Sequence, residues 1–137
     1  MSTQQLAETA TDLVAIDKGI LAADESSATI KKRFDSIAVD STEGNRRDYR
    51  ELLFSTEGCE KYISGVIMYD ETMRQNSADG KPLTSVLTEK GIIPGVKVDI
   101  GAKTLAGSPE EKITEGLDGL RERLAEYATL GARFTKW

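Results

Sequence analysis

Short apolar runs that stop abruptly at acidic residues constrain this chain more than any other feature. Gly19-Ile20-Leu21-Ala22-Ala23 halts at Asp24-Glu25-Ser26-Ser27, Ile63-Ser64-Gly65-Val66-Ile67-Met68-Tyr69 at Asp70-Glu71, and Gly95-Val96-Lys97-Val98 at Asp99. A short run that is apolar on both faces reads as a buried parallel strand. The last six residues, Ala132-Arg133-Phe134-Thr135-Lys136-Trp137, read as a fourth strand. The strand ends fall near Asp24, Asp70, Asp99 and Trp137, separated by 46, 29 and 38 residues. Each gap has room for a helix, so the expected architecture is α/β, with right-handed βαβ crossovers and a parallel sheet.

The intervening segments supply helical patterns. Leu6, Ala10, Leu13 and Val14 predict an opening helix that ends near Gly19, and Ile30, Phe34 and Ile37 predict a second. A third starts near Ser41-Thr42 and runs through Tyr49, Leu52 and Leu53, with Arg46, Arg47, Asp48, Arg50 and Glu51 on its solvent face. Turn residues from Asn76 to Pro82 precede a short helix over Ser85 to Lys90. Ser108-Pro109-Glu110-Glu111 has the form of a capping box, and Ile113, Leu117, Leu120, Leu124 and Tyr127 follow at steps of four and three. That stripe predicts a helix packed on the sheet and closed by Gly131.

A complete eight-unit parallel barrel typically needs about 250 residues, and 137 residues hold about four units. A chain that ends on its fourth strand leaves that edge unpaired, so the expectation is a single segment, residues 1–137, of a larger protein: a leading helix over 1–18, then four strands with their helices over 19–137.

Composition excludes several classes of chemistry. Eighteen Lys and Arg stand against 23 Asp and Glu, for a net charge of −5, without the basic excess that phosphate-tracking nucleic-acid binders need. There is no histidine, which removes a Ser-His-Asp triad and any imidazole-bound zinc. The lone Cys59 permits no intrachain disulfide. No basic, apolar leader opens the chain and no run approaches the roughly 18 apolar residues of a membrane span. A cytoplasmic protein is the default expectation.

In parallel α/β folds ligands bind beyond the carboxyl ends of the strands, which selects Asp24, Lys97, Asp99 and Lys136. If Asp24, Lys97 and Lys136 converge, two ammonium groups around one carboxylate keep the acid ionised and suit an anionic sugar phosphate; the alternative is an internal salt-bridge cluster. Ser26, Ser27 and Thr29 open a helix whose free N–H groups suit phosphate oxygens, with Arg33 one turn on, or else simply cap it. Arg46-Arg47 is either a solvated helical face or an anion-binding pair.

Gly19-Ile20-Leu21-Ala22-Ala23-Asp24-Glu25-Ser26, Asn45-Arg46-Arg47, Tyr49-Arg50, Gly65-Val66-Ile67, Asp70-Glu71-Thr72, Gly95-Val96-Lys97-Val98-Asp99, Leu105-Ala106-Gly107, Gly116-Leu117-Asp118-Gly119-Leu120 and Lys136-Trp137 occur in this order along the chain. Together they resemble the class I fructose-1,6-bisphosphate aldolases. The likeness runs nearly unbroken from Leu13 to Trp137. Ala28 and Ile100 depart from it, standing where glycine and lysine are frequent.

The resemblance implies a parallel (β/α)8 TIM barrel, of which this chain carries about the first four βα units. It implies a glycolytic and gluconeogenic lyase that cleaves fructose 1,6-bisphosphate to dihydroxyacetone phosphate and glyceraldehyde 3-phosphate through a lysine Schiff base, with no metal and no other cofactor. It implies a sugar-phosphate substrate, no nucleic-acid or membrane partner, and a homotetramer for the full-length parent. By position, Asp24 resembles the active-site aspartate and Lys136 the lysine beside the Schiff-base centre. Lys97 resembles a phosphate-end lysine, Ser26 and Thr29 phosphate-side hydroxyls, and Arg33 and Arg46 phosphate-binding arginines. The family's Schiff-base lysine and glutamate acid-base lie on later strands, so the resemblance implies that these 137 residues alone are inactive. The alternative is a noncatalytic half-barrel that binds a sugar phosphate or a protein.

Overall fold

The computed structural model describes residues 2–137. Its elements in chain order are α1 (Thr3–Leu13), β1 (Gly19–Ala23), α2 (Ser27–Asp35), α3 (Glu43–Ser55), β2 (Ile63–Met68), α4 (Asp70–Met73), α5 (Leu83–Glu89), β3 (Ile93–Lys97), β4 (Ala102–Leu105), β5 (Ser108–Thr114), α6 (Leu120–Thr129) and β6 (Phe134–Lys136), with a 3₁₀ turn at Cys59–Lys61. β1, β2, β3 and β6 form one sheet in that order, all parallel. These are the four strands expected from the apolar runs. Strand order follows chain order, as successive βα units require.

Alternation along these strands separates two faces. Ala23, Val66, Met68 and Val96 point to one side, where Phe54 of α3, Leu83 and Leu87 of α5, Met73 of α4 and Tyr127 of α6 join them in the buried core. The other side carries Ile20, Ala22, Lys97, Phe134 and Lys136. Phe134 lies across Gly95 so closely that a Cβ there would meet the ring at 2.4 Å. Here β1 departs from the expectation of burial on both faces, since Ile20 and Ala22 are exposed: helices cover only the core side.

Three helix readings need correction. The segment from Ser108 is not a helix. Ser108–Thr114 pairs antiparallel with β4, and the helix begins only at Leu120. A continuous helix would have to pass through Gly116 and Gly119, which adopt φ of 139° and 62° and lie outside helical geometry. Gly116 also has no room for a side chain, since a Cβ would stand 3.0 Å from Asp99 Cα and Ile100 N. The predicted stripe therefore splits: Tyr127 is buried on α6, whereas Ile113 on β5 and Leu117 (73% exposed) face outward.

On α3, Arg50 is completely buried beside Phe54 while Leu52 is 67% exposed, so Arg50 does not belong to the solvent face and Leu52 does not belong to the packing stripe. Arg50 and Phe54 are one helical turn apart and share the face turned to the sheet. Ile37 lies past the end of α2 and is exposed. α1 crosses the amino ends of the strands, where Ser64 Oγ donates to Leu13 O at 2.7 Å and Arg133 Nη2 to Thr9 Oγ1 at 3.1 Å. Among the described residues no helix is long and apolar enough to cross a membrane.

Candidate active site

A cavity of 790 Å³ opens at the carboxyl ends of the strands, and Asp24, Ser26, Thr29, Arg33, Lys97 and Lys136 all line it. The register and the strand alternation put the side chains of Asp24, Lys97 and Lys136 on one face. Lys97 of β3 is paired with Lys136 of β6, so both lysines leave the sheet on the same face. Asp24 follows β1 two residues after Ala22, on that face as well.

Lys136 Nζ donates to Asp24 Oδ2 at 2.7 Å, with the aspartate side chain 8% exposed and the lysine side chain 41%. The aspartate is thus held in the protein, and the ammonium keeps access to solvent and ligand. Lys97 turns to its own strand end instead: its Nζ donates to Asp99 Oδ1 at 2.6 Å and to Asp99 O at 2.8 Å. Burial acts to raise the Asp99 carboxyl. The bonds from Lys97 and from Gly101 N–H outweigh it and hold the group below the usual carboxylate range. Lys97 therefore shares the cavity with Asp24 but does not touch it.

Ser26 caps α2, its Oγ accepting from Thr29 N at 3.3 Å and lying 3.1 Å from Thr29 Oγ1. Capping does not consume both hydroxyls, since each oxygen has further hydrogen-bonding capacity. Arg33 reaches Glu25 Oε1 at 2.9 Å with its side chain 60% exposed. Arg46 stands apart from the cavity. It donates to Glu71 through Nε at 2.8 Å and Nη2 at 2.5 Å, and to Ser41 O at 2.6 Å. The hydrogen bond from Arg46 drives the Glu71 carboxyl below its ordinary value against the opposing effect of burial.

The cavity lining is balanced in charge, with Arg33, Lys97, Arg123 and Lys136 against Asp24, Glu25, Asp70 and Asp99. An anionic ligand must draw a cation partly away from its carboxylate, and the exposed Lys136 and Arg33 are placed for that. Arg123, Tyr127 and Asp70 also line the cavity, and the sequence gives none of them a site role. Arg123 donates to Val98 O at 2.9 Å and Gly116 O at 2.5 Å, tying the β4–β5 hairpin to the end of β3. Burial raises the Tyr127 phenol above its usual value, and Asp70 adds to the effect. No group of three or more potential metal ligands occurs among the described residues.

The model of the fructose-bisphosphate aldolase class-I family matches residues 5–137. This chain belongs to that family. A probable fructose-bisphosphate aldolase class 1 of Xanthomonas campestris is 59% identical over 137 residues, all of this chain and 41% of its own length. Fructose-bisphosphate aldolase 1 of Toxoplasma gondii is 57% identical over 134 residues, 98% of this chain and 37% of its own. A solved structure of the Plasmodium falciparum aldolase, in complex with TRAP and a small-molecule inhibitor, superposes with a TM-score of 0.95 at 53% identity, over 98% of this chain and 39% of that one. The chain thus spans about 40% of the length of these aldolases. Its four-stranded parallel sheet superposes on part of that aldolase, a member of the TIM-barrel family.

Proposed function

We propose that these residues form one wall of a class I fructose-bisphosphate aldolase site, and that the whole protein cleaves fructose 1,6-bisphosphate to dihydroxyacetone phosphate and glyceraldehyde 3-phosphate. The observation that carries the reading is the Asp24–Lys136 pair, set in a cavity that also presents Lys97, Ser26, Thr29 and Arg33. In this role Asp24 accepts a hydrogen bond from the substrate hydroxyl next to the bond that breaks and assists removal of its proton. Lys136, which donates to that carboxylate at 2.7 Å, holds it in place and favours negative charge developing nearby. Lys97, Arg33 and the Ser26 and Thr29 hydroxyls take one phosphate. Arg46, held by Glu71 and Ser41 outside the cavity, takes no part in phosphate binding on this reading.

Cleavage leaves an electron pair on the ketose fragment, and neither Asp24 nor Lys136 is an electron sink for it. In this family a lysine Schiff base outside these residues plays that part. The 137-residue chain alone is therefore inactive on this reading, and the homotetramer and the cytoplasmic location of the whole protein rest on family likeness.

The test uses a chain extended to the relatives' full length. It should turn over fructose 1,6-bisphosphate, and Asp24→Asn should lower kcat by about 10²-fold or more. Borohydride with dihydroxyacetone phosphate should label the extended chain and leave the 137-residue chain unlabelled. A stoichiometric adduct on Lys97 or Lys136 would overturn these roles, and sugar-phosphate binding without turnover in the extended chain would favour a noncatalytic half-barrel.

A further inference from the structure

Arg50 heads the completely buried side chains in volume, an unusual place for a group so costly to take out of water. Burial lowers the guanidinium below the ordinary arginine value, opposed by Glu25 and Glu71. Those two carboxylates lie 3.9 Å away and supply countercharge. The ring of Tyr69 lies 5.8 Å from the guanidinium carbon.

Neither carboxylate takes a hydrogen bond from it. Arg50 Nε donates to Ala23 O at 3.2 Å and Nη2 to Glu25 O at 2.6 Å, the carbonyls on either side of Asp24. β1 ends at Ala23, whose ladder partner is Met68, so beyond that residue the sheet no longer determines the backbone. Buried carbonyls need donors, and one rigid planar fork serves both. The segment between them carries the carboxylate that Lys136 meets at 2.7 Å.

We propose that Arg50 is a positioning residue for Asp24: by bridging the carbonyls of residues 23 and 25 it sets the direction in which the aspartate enters the cavity. The inference rests on the aldolase reading above and adds to it a residue that never touches substrate. Lysine at this position keeps the charge but has neither the planar fork nor the reach to serve two carbonyls at once.

The test is made in the extended, full-length chain. Arg50→Lys should fold, as judged by far-UV circular dichroism, and should lower kcat about 10- to 100-fold, the scale of a misplacement near 1 Å, with KM held within about threefold. In an Asp24→Asn background the same substitution should change kcat by less than about threefold, because its effect passes through Asp24. Citrulline at position 50 keeps both donors without the charge and should stay within about threefold of the parent kcat. Wild-type kcat in Arg50→Lys, an undiminished effect in the Asp24→Asn background, or a loss in the citrulline protein as large as that in the lysine protein would each overturn the proposal. Absence of cleavage by the unsubstituted full-length chain would instead sink the aldolase reading itself.

Discussion

Replacing Glu71 by glutamine removes a charge from the cluster that makes a buried arginine tolerable. Glu71 accepts two bonds from Arg46, and its Oε2 lies 3.9 Å from Arg50 Nη1, an atom that is buried with no hydrogen-bond partner. Charge-assisted bonds are worth about 1.5–3 kcal/mol each when fully effective. The side chains of Arg46 and Glu71 are 14% and 23% exposed, and glutamine can still accept one bond, so the expected net loss is about 2 kcal/mol. For a protein of this size that lowers Tm by roughly 6–10 °C.

The pH dependence supplies a second readout. The folded-state carboxyl of Glu71 is depressed, so its stabilisation is fully present above the unfolded glutamate value, about 4.3, and is lost as pH falls through the lower folded value. Urea denaturation of parent and Glu71→Gln proteins, followed by far-UV circular dichroism, should show a gap at pH 7 that narrows steadily below pH 4. A gap under about 0.5 kcal/mol at pH 7, or one that stays constant into acid, would refute the argument that Glu71 is the working counterion.

Three further outcomes follow from the packing. Phe54→Ala empties a completely buried position in the core and should cost about 3–5 kcal/mol by denaturant titration. Gly116→Ala must place a Cβ at 3.0 Å from backbone atoms of Asp99 and Ile100 at a φ of 139°; it should cost about 2 kcal/mol or more and raise amide exchange through the β4–β5 hairpin. Leu117→Ser, at an exposed position, should shift monomer stability by less than about 0.5 kcal/mol, whereas a helix through Ser108–Gly131 would make it costly.

How much of this was legible in advance can be followed residue by residue. β1 lies where the apolar run Gly19–Ala23 placed it, and α3 opens beside Ser41-Thr42 as read, with Thr42 as its cap, because each depends on neighbours in sequence. Asp24, Lys97 and Lys136 are marked in the sequence by their position at the carboxyl ends of strands. Over Ser108–Thr114 the capping pattern and the apolar stripe do not make a helix, because Gly116 and Gly119 interrupt them. Arg50 was misplaced because charge suggests solvent, although its i+4 relation to Phe54 pointed toward the sheet.

The sequence alone determined the alternation of strands and helices, the absence of imidazole chemistry and the identity of the strand-end charges, since periodicity and composition are local properties of a chain. Tertiary structure decided which charges meet. Lys136 lies 112 residues from Asp24 in sequence, and only the folded sheet, with β1 and β6 at its opposite edges, brings the two side chains together, while Lys97 is drawn to Asp99 instead. It also decided that a buried guanidinium holds the carbonyls around Asp24, because a backbone group that outlasts its sheet takes its donor from whichever helix packs beside it.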